Sequence, residues 1–391
     1  MKLNIAVLFG HKSCEHDISI ITACHAMKNI DTEKYNIIPI YITKENKYIT
    51  GQNLKQISNY PNNIKGKEIV FLPNSNYVYL KSKFGLKKRK RIDCALFCFH
   101  GNMGENGAMQ GLFELNNIPY TSTGLVGSIN GMNKVLFKEI LKGIKVPSVQ
   151  GVEIKDEEYF LDKNKCVNKT IKLMSLPLIV KPSELGSSIG IGVANSKIEL
   201  NNALKQAFEL GGSVLVEKYV SSFKEVNVAV LYDGEKYIFS EFEEAIKNDN
   251  ILSFKDKYIS GGKKNIQTAT YLGGNIKASL TEVEIEKIRK YTLKVALKLN
   301  LKGVVRFDYI ITKDKIYLNE INTIPGSLAN YLFKSKGLNY KNLLDILINS
   351  AIVENSKKNN YLSYFESSVL ENNTNGVKKW HKTLSNKCLT K

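Results

Sequence analysis

The sequence predicts an α/β protein in which a parallel sheet is followed by α+β units. Three observations carry that reading. Strands and helices alternate over residues 1–122, as a parallel sheet requires. From Thr123 the pattern changes to short strands with helices and hairpins between them. Near the end, two β-branched and aromatic runs, GVVRFDYIIT and KIYLNEIN, flank the polar Thr312-Lys313-Asp314-Lys315 as the arms of a hairpin.

In chain order, LNIAVLFG is a strand and the run from Glu15 to Ile30 has helical periodicity. YNIIPIYIT and IDCALFCF are further strands, Glu105 to Asn116 reads as a helix, and IPYT as a short strand. The polar segment from Lys47 to Arg91 is expected to be an irregular excursion with one or two short strands. Beyond Thr123, the helix NKVLFKEILKGI ends at Gly143 and Pro147. Strands LPLIVKP and SIGIGVA follow, joined by Ser183-Glu184-Leu185-Gly186-Ser187, then a helix from Lys197 to Leu210 and the strand SVLVEKYV. EVNVAVLYDG-EKYIFSEFEEAI carries an Asp-Gly hairpin signal. A long loop (247–268), a helix from Thr281 to Leu299, the hairpin above and a helix from Tyr340 to Val353 complete the order. Expected boundaries are 1–122, 123–220 and 221–353, followed by a polar 354–391 tail in which SYFESSVL could dock. There is no internal repeat.

At 391 residues the chain has room for two or three domains. With 43% apolar and 24% charged residues it has a soluble globular composition. No apolar run approaches the ~18 residues of a membrane span. The first apolar stretch runs into polar residues without a small-residue cleavage site, so no signal peptide is expected. The six cysteines form no Cys-x-x-Cys pair, and free thiols in a reducing cytoplasm are the expectation. The net charge of +19 and the block Lys87-Lys88-Arg89-Lys90-Arg91 invite a nucleic-acid reading. That block precedes the apolar IDCALFCFH and has no interleaved aromatics for base stacking, and lysine is used heavily throughout. Most of the charge therefore reads as solvated surface that also attracts anionic substrates such as nucleotides. Neither nucleic acid nor membrane is an expected partner.

The hairpin carries the clearest chemistry. Side chains at i and i+2 of a strand share a face, so Arg306 joins Asp308 and Glu320 joins Asn322. If the turn closes near Lys313-Asp314, a cation and three oxygen ligands converge. Two carboxylates and an amide oxygen suit Mg²⁺ shared with phosphate, and an adjacent arginine would stabilise developing negative charge. Any one of these residues alone would fit a surface hairpin with ordinary salt bridges; four inside apolar strands argue for a site.

Other motifs are weaker alone. The small-residue loop Leu185-Gly186-Ser187-Ser188-Ile189-Gly190-Ile191-Gly192 could cover phosphates with its N–H groups and hydroxyls. It has no Gly-Lys-Ser/Thr and no helix after it, so it is neither a P-loop nor a dinucleotide fingerprint. Lys181 ends a strand within reach of a phosphate, and Glu217-Lys218-Tyr219-Val220 closes another. The loops from Gly10 to Asp17 and from His100 to Gly107 each close a strand and open a helix. That is where open α/β sheets bind ligands, and the two loops could face each other. Of the loop histidines, His100 has the best case, because a glycine-rich stretch follows it.

Taken in order, IAVLFGHKSCEHDIS, HGNMGENGAMQGLFELNNIPYT, MNKVLFKEIL, IVKPSELGSSIG, VLVEKYV with Glu225, DKYIS, VVRFDYI and NEINTIPGS resemble the D-alanine–D-alanine ligase family of the ATP-grasp superfamily. The resemblance runs over roughly residues 3–350. It implies a three-domain ATP-grasp architecture with a Rossmann-like N-terminal sheet, and ATP-dependent ligation of two D-alanines for peptidoglycan. It further implies that Lys134, Lys181, Ser188, Glu217, Lys218, Tyr219, Val220, Glu225 and Lys257 line the ATP site. Asp308, Glu320 and Asn322 would hold two Mg²⁺ ions, for which Mn²⁺ can substitute. Glu15 would bind the first substrate's ammonium and form a hydrogen-bonded set with Ser187 and Tyr258. His100 would lie near that substrate, and Arg306 with the Gly326 N–H would form an oxyanion hole. A homodimer is the assembly the resemblance implies.

Three departures stand out. Met132-Asn133-Lys134 replaces the family's Met-Asp-Lys, and in ILSFKDKY only Lys257-Tyr258 keeps the aromatic run. Ser327-Leu328-Ala329-Asn330-Tyr331 stands where a Thr-Ser-His-Ser-like stretch is usual. That last change leaves Ser327, Asn330 and Tyr331 as polar candidates near the second substrate and keeps another acceptor, such as D-serine or D-lactate, open.

Overall fold

The apolar run Leu3–Gly10 forms β1 of the first sheet, and helix α1 (His16–Asn29) follows it. β2 (Tyr35–Ile42) lies parallel to β1 on one side. On the other side lies β7 (Cys94–Phe97), also parallel. The segment between β2 and β7 is more regular than its polarity suggests. It holds β3 (Tyr48–Thr50), β4 (Lys67–Phe71), β5 (Tyr77–Ser82) and β6 (Gly85–Arg91), a meander that extends the sheet to seven strands in the order β6-β5-β4-β3-β2-β1-β7. Alternation explains the miss: Ile69, Val78 and Leu80 pack inward while their neighbours stay wet, and every residue of β6 is exposed. The sheet is consequently mixed, parallel at the end formed by β2, β1 and β7 and antiparallel from β2 to β6. The computed structural model describes residues 2–60, 62, 64–245, 274–362, 367, 369 and 370, with the backbone alone at 274–276.

The expected single helix after His100 is two, α2 (Asn102–Glu105) and α3 (Ala108–Leu115), because Gly107 adopts φ +96° between them. IPYT contributes only a bridge, Tyr120 to Ala95. Helices α4 (Leu125–Met132) and α5 (Lys134–Gly143) lead to β8 (Gly151–Lys155), α6 (Asp156–Leu161) and α7 (Lys163–Met174). β9 (Leu178–Pro182), β10 (Gly192–Ala194), α8 (Lys197–Phe208) and β11 (Ser213–Lys218) complete a four-stranded antiparallel sheet, β10-β9-β11-β8. The strand expected over SIGIGVA shrinks to its last three residues. Ser187, Ser188 and Gly190 all have positive φ, which no extended strand accommodates.

β12 (Lys224–Tyr232) and β13 (Tyr237–Ala245) form the Asp-Gly hairpin, followed by β14 (Gly274–Ile276) and α9 (Glu282–Lys298). Thr281 caps α9 in a reciprocal box with Glu284. β15 (Val304–Ile311) and β16 (Ile316–Asn322) are the predicted hairpin, and the sheet order is β14-β13-β12-β15-β16. The short α10 (Asn330–Lys334) precedes α11 (Tyr340–Asn359), which outruns its expected end at Val353. Residues Met1–Asn355 form one compact unit and Ser356–Lys391 a second. Most of SYFESSVL lies outside the described residues. No helix among the described residues is long and apolar enough to cross a membrane. Cys14, Cys24, Cys94, Cys98 and Cys166 are free thiols.

Candidate active site

The hairpin register brings the expected residues face to face. Arg306 lies opposite Asn322, and Asp308 opposite Glu320. The register then slips by one, and the extra residue, Asn319, accepts a hydrogen bond from Lys181 Nζ (3.3 Å). The Arg306 fork donates from Nε and Nη2 to the two Asp308 oxygens at 2.7 and 2.8 Å. Asn322 Nδ2 donates to Asp308 Oδ2 at 3.0 Å, which turns the amide oxygen away from that carboxylate. The polar row continues across the sheet: Asn227 sits opposite Asp308 and Glu243 opposite Asn227.

On the facing sheet, Lys181 and Glu217 come from adjacent strands and are both buried. Lys181 Nζ lies 2.5 Å from Glu217 Oε2, and Lys138 from α5 makes an ion pair with Oε1, which has no partner of hydrogen-bond geometry. Burial opposes ionisation of Glu217, but its two lysines hold the carboxyl below the usual range. Burial likewise opposes the Lys181 ammonium, which Glu217, Glu320 and Glu225 hold above its usual range. Burial lowers Lys138, with Glu217 opposing. Asn133, at the position of the usual aspartate, caps α5 by accepting from Val135 and Leu136 N–H, and its Nδ2 donates to Glu184 (2.9 Å). Lys134 Nζ donates to the Leu185 carbonyl in the small-residue loop. Lys218 is exposed at the end of β11, with half-buried Tyr219 and Val220 beyond it.

A cavity of about 120 Å³ joins the three sheets' loops. Ten of the expected residues line it: Glu15, His100, Ser187, Glu225, Arg306, Glu320, Asn322, Gly326, Ser327 and Tyr331. A smaller space of about 30 Å³ brings Lys134 to Glu15, Glu320 and Asn322. Lys257 and Tyr258 lie outside the described residues. Ser187 Oγ donates to Glu15 Oε1, joining the first loop to the small-residue loop. A side chain at either neighbouring glycine would press on that carboxylate: a Cβ on Gly101 would lie 2.8 Å from Glu15 Oε2, and one on Gly186 2.9 Å.

His100 lines the cavity and also joins the loops around it. Its Nδ1 lies 2.9 Å from the Ile324 carbonyl, which can only accept, so Nδ1 carries the proton. Burial, aided by His11 and Arg306, lowers its pKa to about 4, so the ring is neutral. Nε2 then accepts from Thr22 Oγ1 (2.8 Å), and Thr22 Oγ1 accepts from the Ser327 N–H (3.2 Å). Glu105 ties the same segment down by accepting from Ile324 N–H (3.1 Å) and Gly101 N–H (2.6 Å). Burial, with the nearby Glu15, pushes its carboxyl up to about 7. These bonds hold Ser327, Leu328 and Ala329 in the left-handed region (φ 48, 51 and 48°), immediately after Gly326.

Sequence reasoning missed Lys138, Thr22, Glu105 and Asn227. Two signals were present: Lys138 repeats Lys134 at i+4 on one helix, and Glu105 lies inside the glycine-rich loop. Thr22 gave none.

Two antiparallel sheets facing each other with Lys181 and Glu217 on one and Arg306, Asp308 and Glu320 on the other, completed by loops of an α/β domain, are the ATP-grasp arrangement. Comparison with known proteins narrows this. The family model for the N-terminus of D-ala D-ala ligase matches residues 4–123, and that for the C-terminus residues 140–349. The chain is 38% identical over 359 residues to a D-alanine–D-alanine ligase of Thermosipho melanesiensis, covering 90% of this chain and 94% of that protein. It is 35% identical over 362 residues to the one of Thermosipho africanus, covering 89% and 93%. The solved D-alanine–D-alanine ligase of Coxiella burnetii superposes with a TM-score of 0.76 at 25% identity, over 92% of this chain and 96% of that one. The chain belongs to the D-alanine–D-alanine ligase family.

Proposed function

We propose that this protein joins two D-alanines in an ATP-dependent ligation that yields ADP and phosphate and supplies peptidoglycan synthesis. The observation that carries the reading is the convergence of Glu15–Ser187, Arg306 and Gly326 on one cavity beside the Glu320–Asn322 edge. Glu15 suits the ammonium of the first D-alanine. The carboxylate of that D-alanine attacks the terminal phosphorus of ATP, the P–O bond to ADP breaks, and an acylphosphate forms with ADP leaving. The second D-alanine's amine then adds to the acyl carbon, Arg306 and the Gly326 N–H receive the charge on oxygen, and phosphate departs. Lys134, Lys181, Ser188, Glu217, Lys218, Tyr219, Val220, Glu225 and Lys257 are assigned to ATP.

The donor set of Asp308, Glu320 and the Asn322 amide oxygen fits Mg²⁺, and two ions would neutralise phosphate charge there. Ser327 and Tyr331 face the second substrate. We take residues 1–122, 123–220 and 221–353 as the domains, a homodimer as the assembly and the cytoplasm as the location.

The test is phosphate release by the purified protein with ATP, Mg²⁺ and single or paired D-amino and D-hydroxy acids. Release with D-alanine alone is expected. No release with any pair would remove the ligase reading, and release only with a mixed pair would reassign the acceptor.

A further inference from the structure

Glu243 takes none of the roles assigned above, yet it is 1% exposed and ends the polar row that runs through Asn227 and Asp308. Its Oε2 accepts from two donors: Asn227 Nδ2 at 3.3 Å and the Tyr331 hydroxyl at 3.1 Å. Tyr331 and Asn227 both line the cavity. A phenol has one proton, and Tyr331 gives it to a carboxylate. Towards substrate its oxygen can therefore only accept. That suits the ammonium of the second D-alanine and not its carboxylate. The ammonium must lose a proton before its nitrogen can attack.

We propose that Glu243 is the base that deprotonates the acceptor's ammonium, working through the Tyr331 hydroxyl; the inference rests on the ligase reading above. An ammonium N–H passes its proton to Tyr331 Oη as the phenolic proton moves to Glu243 Oε2. The freed lone pair forms the C–N bond to the acyl carbon, and the carbonyl π pair moves onto oxygen beside Arg306. Collapse breaks the C–O bond to phosphate, which takes the second proton from nitrogen. Glu243 is left neutral and returns its proton to solvent.

The surroundings suit the task. Burial raises the Glu243 carboxyl above its usual range, with Arg306 opposing and Asp308 adding to the rise. A carboxyl raised above its usual range holds a proton better than an ordinary carboxylate does, as a base should. The proposal also gives a role to Tyr331, in the stretch where this chain departs from its family.

The experiment compares two acceptors in the full-length protein with ATP, Mg²⁺ and D-alanine as donor. Hydroxylamine is already a neutral amine near pH 7 and needs no base, so D-alanyl hydroxamate reports every step except the deprotonation. For Glu243→Gln, dipeptide formation should fall by about 10²- to 10⁴-fold. Hydroxamate formation should stay within about threefold, as no general-base contribution is lost there. Tyr331→Phe should give the same split, and the double variant should lose no more than either single one, as expected for one relay. Equal losses with both acceptors would reduce Glu243 to a structural role, and undiminished dipeptide formation would remove it altogether. Wild-type protein that makes neither product would instead overturn the ligase reading, so the two failures are distinct.

Discussion

Replacing Thr22 by valine tests whether the left-handed turn after Gly326 is held by the His100 relay. The swap keeps shape and removes one hydroxyl. Two groups then lose their partner: His100 Nε2, on a ring 4% exposed, and the N–H of Ser327, a residue 6% exposed. A buried polar group left unpaired costs about 1–3 kcal/mol, so the pair sets a range of about 2–6 kcal/mol. Three consecutive non-glycine residues in the left-handed region store strain of about 1–2 kcal/mol each. Letting the turn relax recovers part of that, which places the expected loss at about 2–4 kcal/mol. Relaxation would also move the Gly326 peptide, so kcat should fall more than the KM for ATP rises. The assay is urea unfolding monitored by fluorescence, paired with steady-state phosphate release. Thr22→Ser should recover most of both quantities, since it restores the hydroxyl. A Thr22→Val protein within about 0.5 kcal/mol of wild type, the range of a surface change, would refute the relay.

Glu217→Gln should destabilise the protein by about 3–5 kcal/mol, because it leaves Lys138 and Lys181 buried without their shared anion, and should raise the KM for ATP. Wild-type stability in urea would contradict the ion-pair assignment. Gly186→Ala should impair turnover with little loss of stability, since the new methyl would press on Glu15 Oε2 at 2.9 Å; a KM for D-alanine that did not rise would count against that contact. Stability should also depend on pH. His100 and His11 have folded pKa values near 4 against an ordinary 6.5, so the unfolded chain binds more protons between those values and stability rises with pH across that window. Glu105 acts in the opposite sense, near 7 against 4.5, so its contribution falls as pH rises between those values. Glu105→Gln should therefore steepen the rise between pH 4.5 and 6.5, measured by urea unfolding at several pH values, and a flatter profile would show the sign to be wrong.

The sequence made the hairpin legible because strand periodicity is local: i and i+2 share a face whatever the rest of the chain does. Arg306, Asp308, Glu320 and Asn322 needed only a turn between them, and the register aligned them in pairs. The glycine-rich loops were legible for a related reason, since Gly101 and Gly186 mark close approach to a side chain, although not which one. The meander from β3 to β6 was obscured because its one-sided packing leaves a polar string. The segment holding β8, α6 and α7 had too weak a pattern to be read at all.

Thr22 and Glu243 were out of reach for a different reason. Each is an ordinary residue of its own element and becomes functional only through a partner far along the chain. Thr22 pairs with Ser327, 305 residues away, and Glu243 with Tyr331, 88 residues away. Both partners lie in the stretch after Gly326 where the family pattern breaks. The two facts are connected. A loop that lacks the usual polar residues has to take its geometry and its polarity from neighbours, and here α1 supplies the first and β13 the second. Transplanting Ser327–Tyr331 alone into another scaffold would therefore carry over neither, because the groups that give the stretch its conformation and its chemistry stay behind.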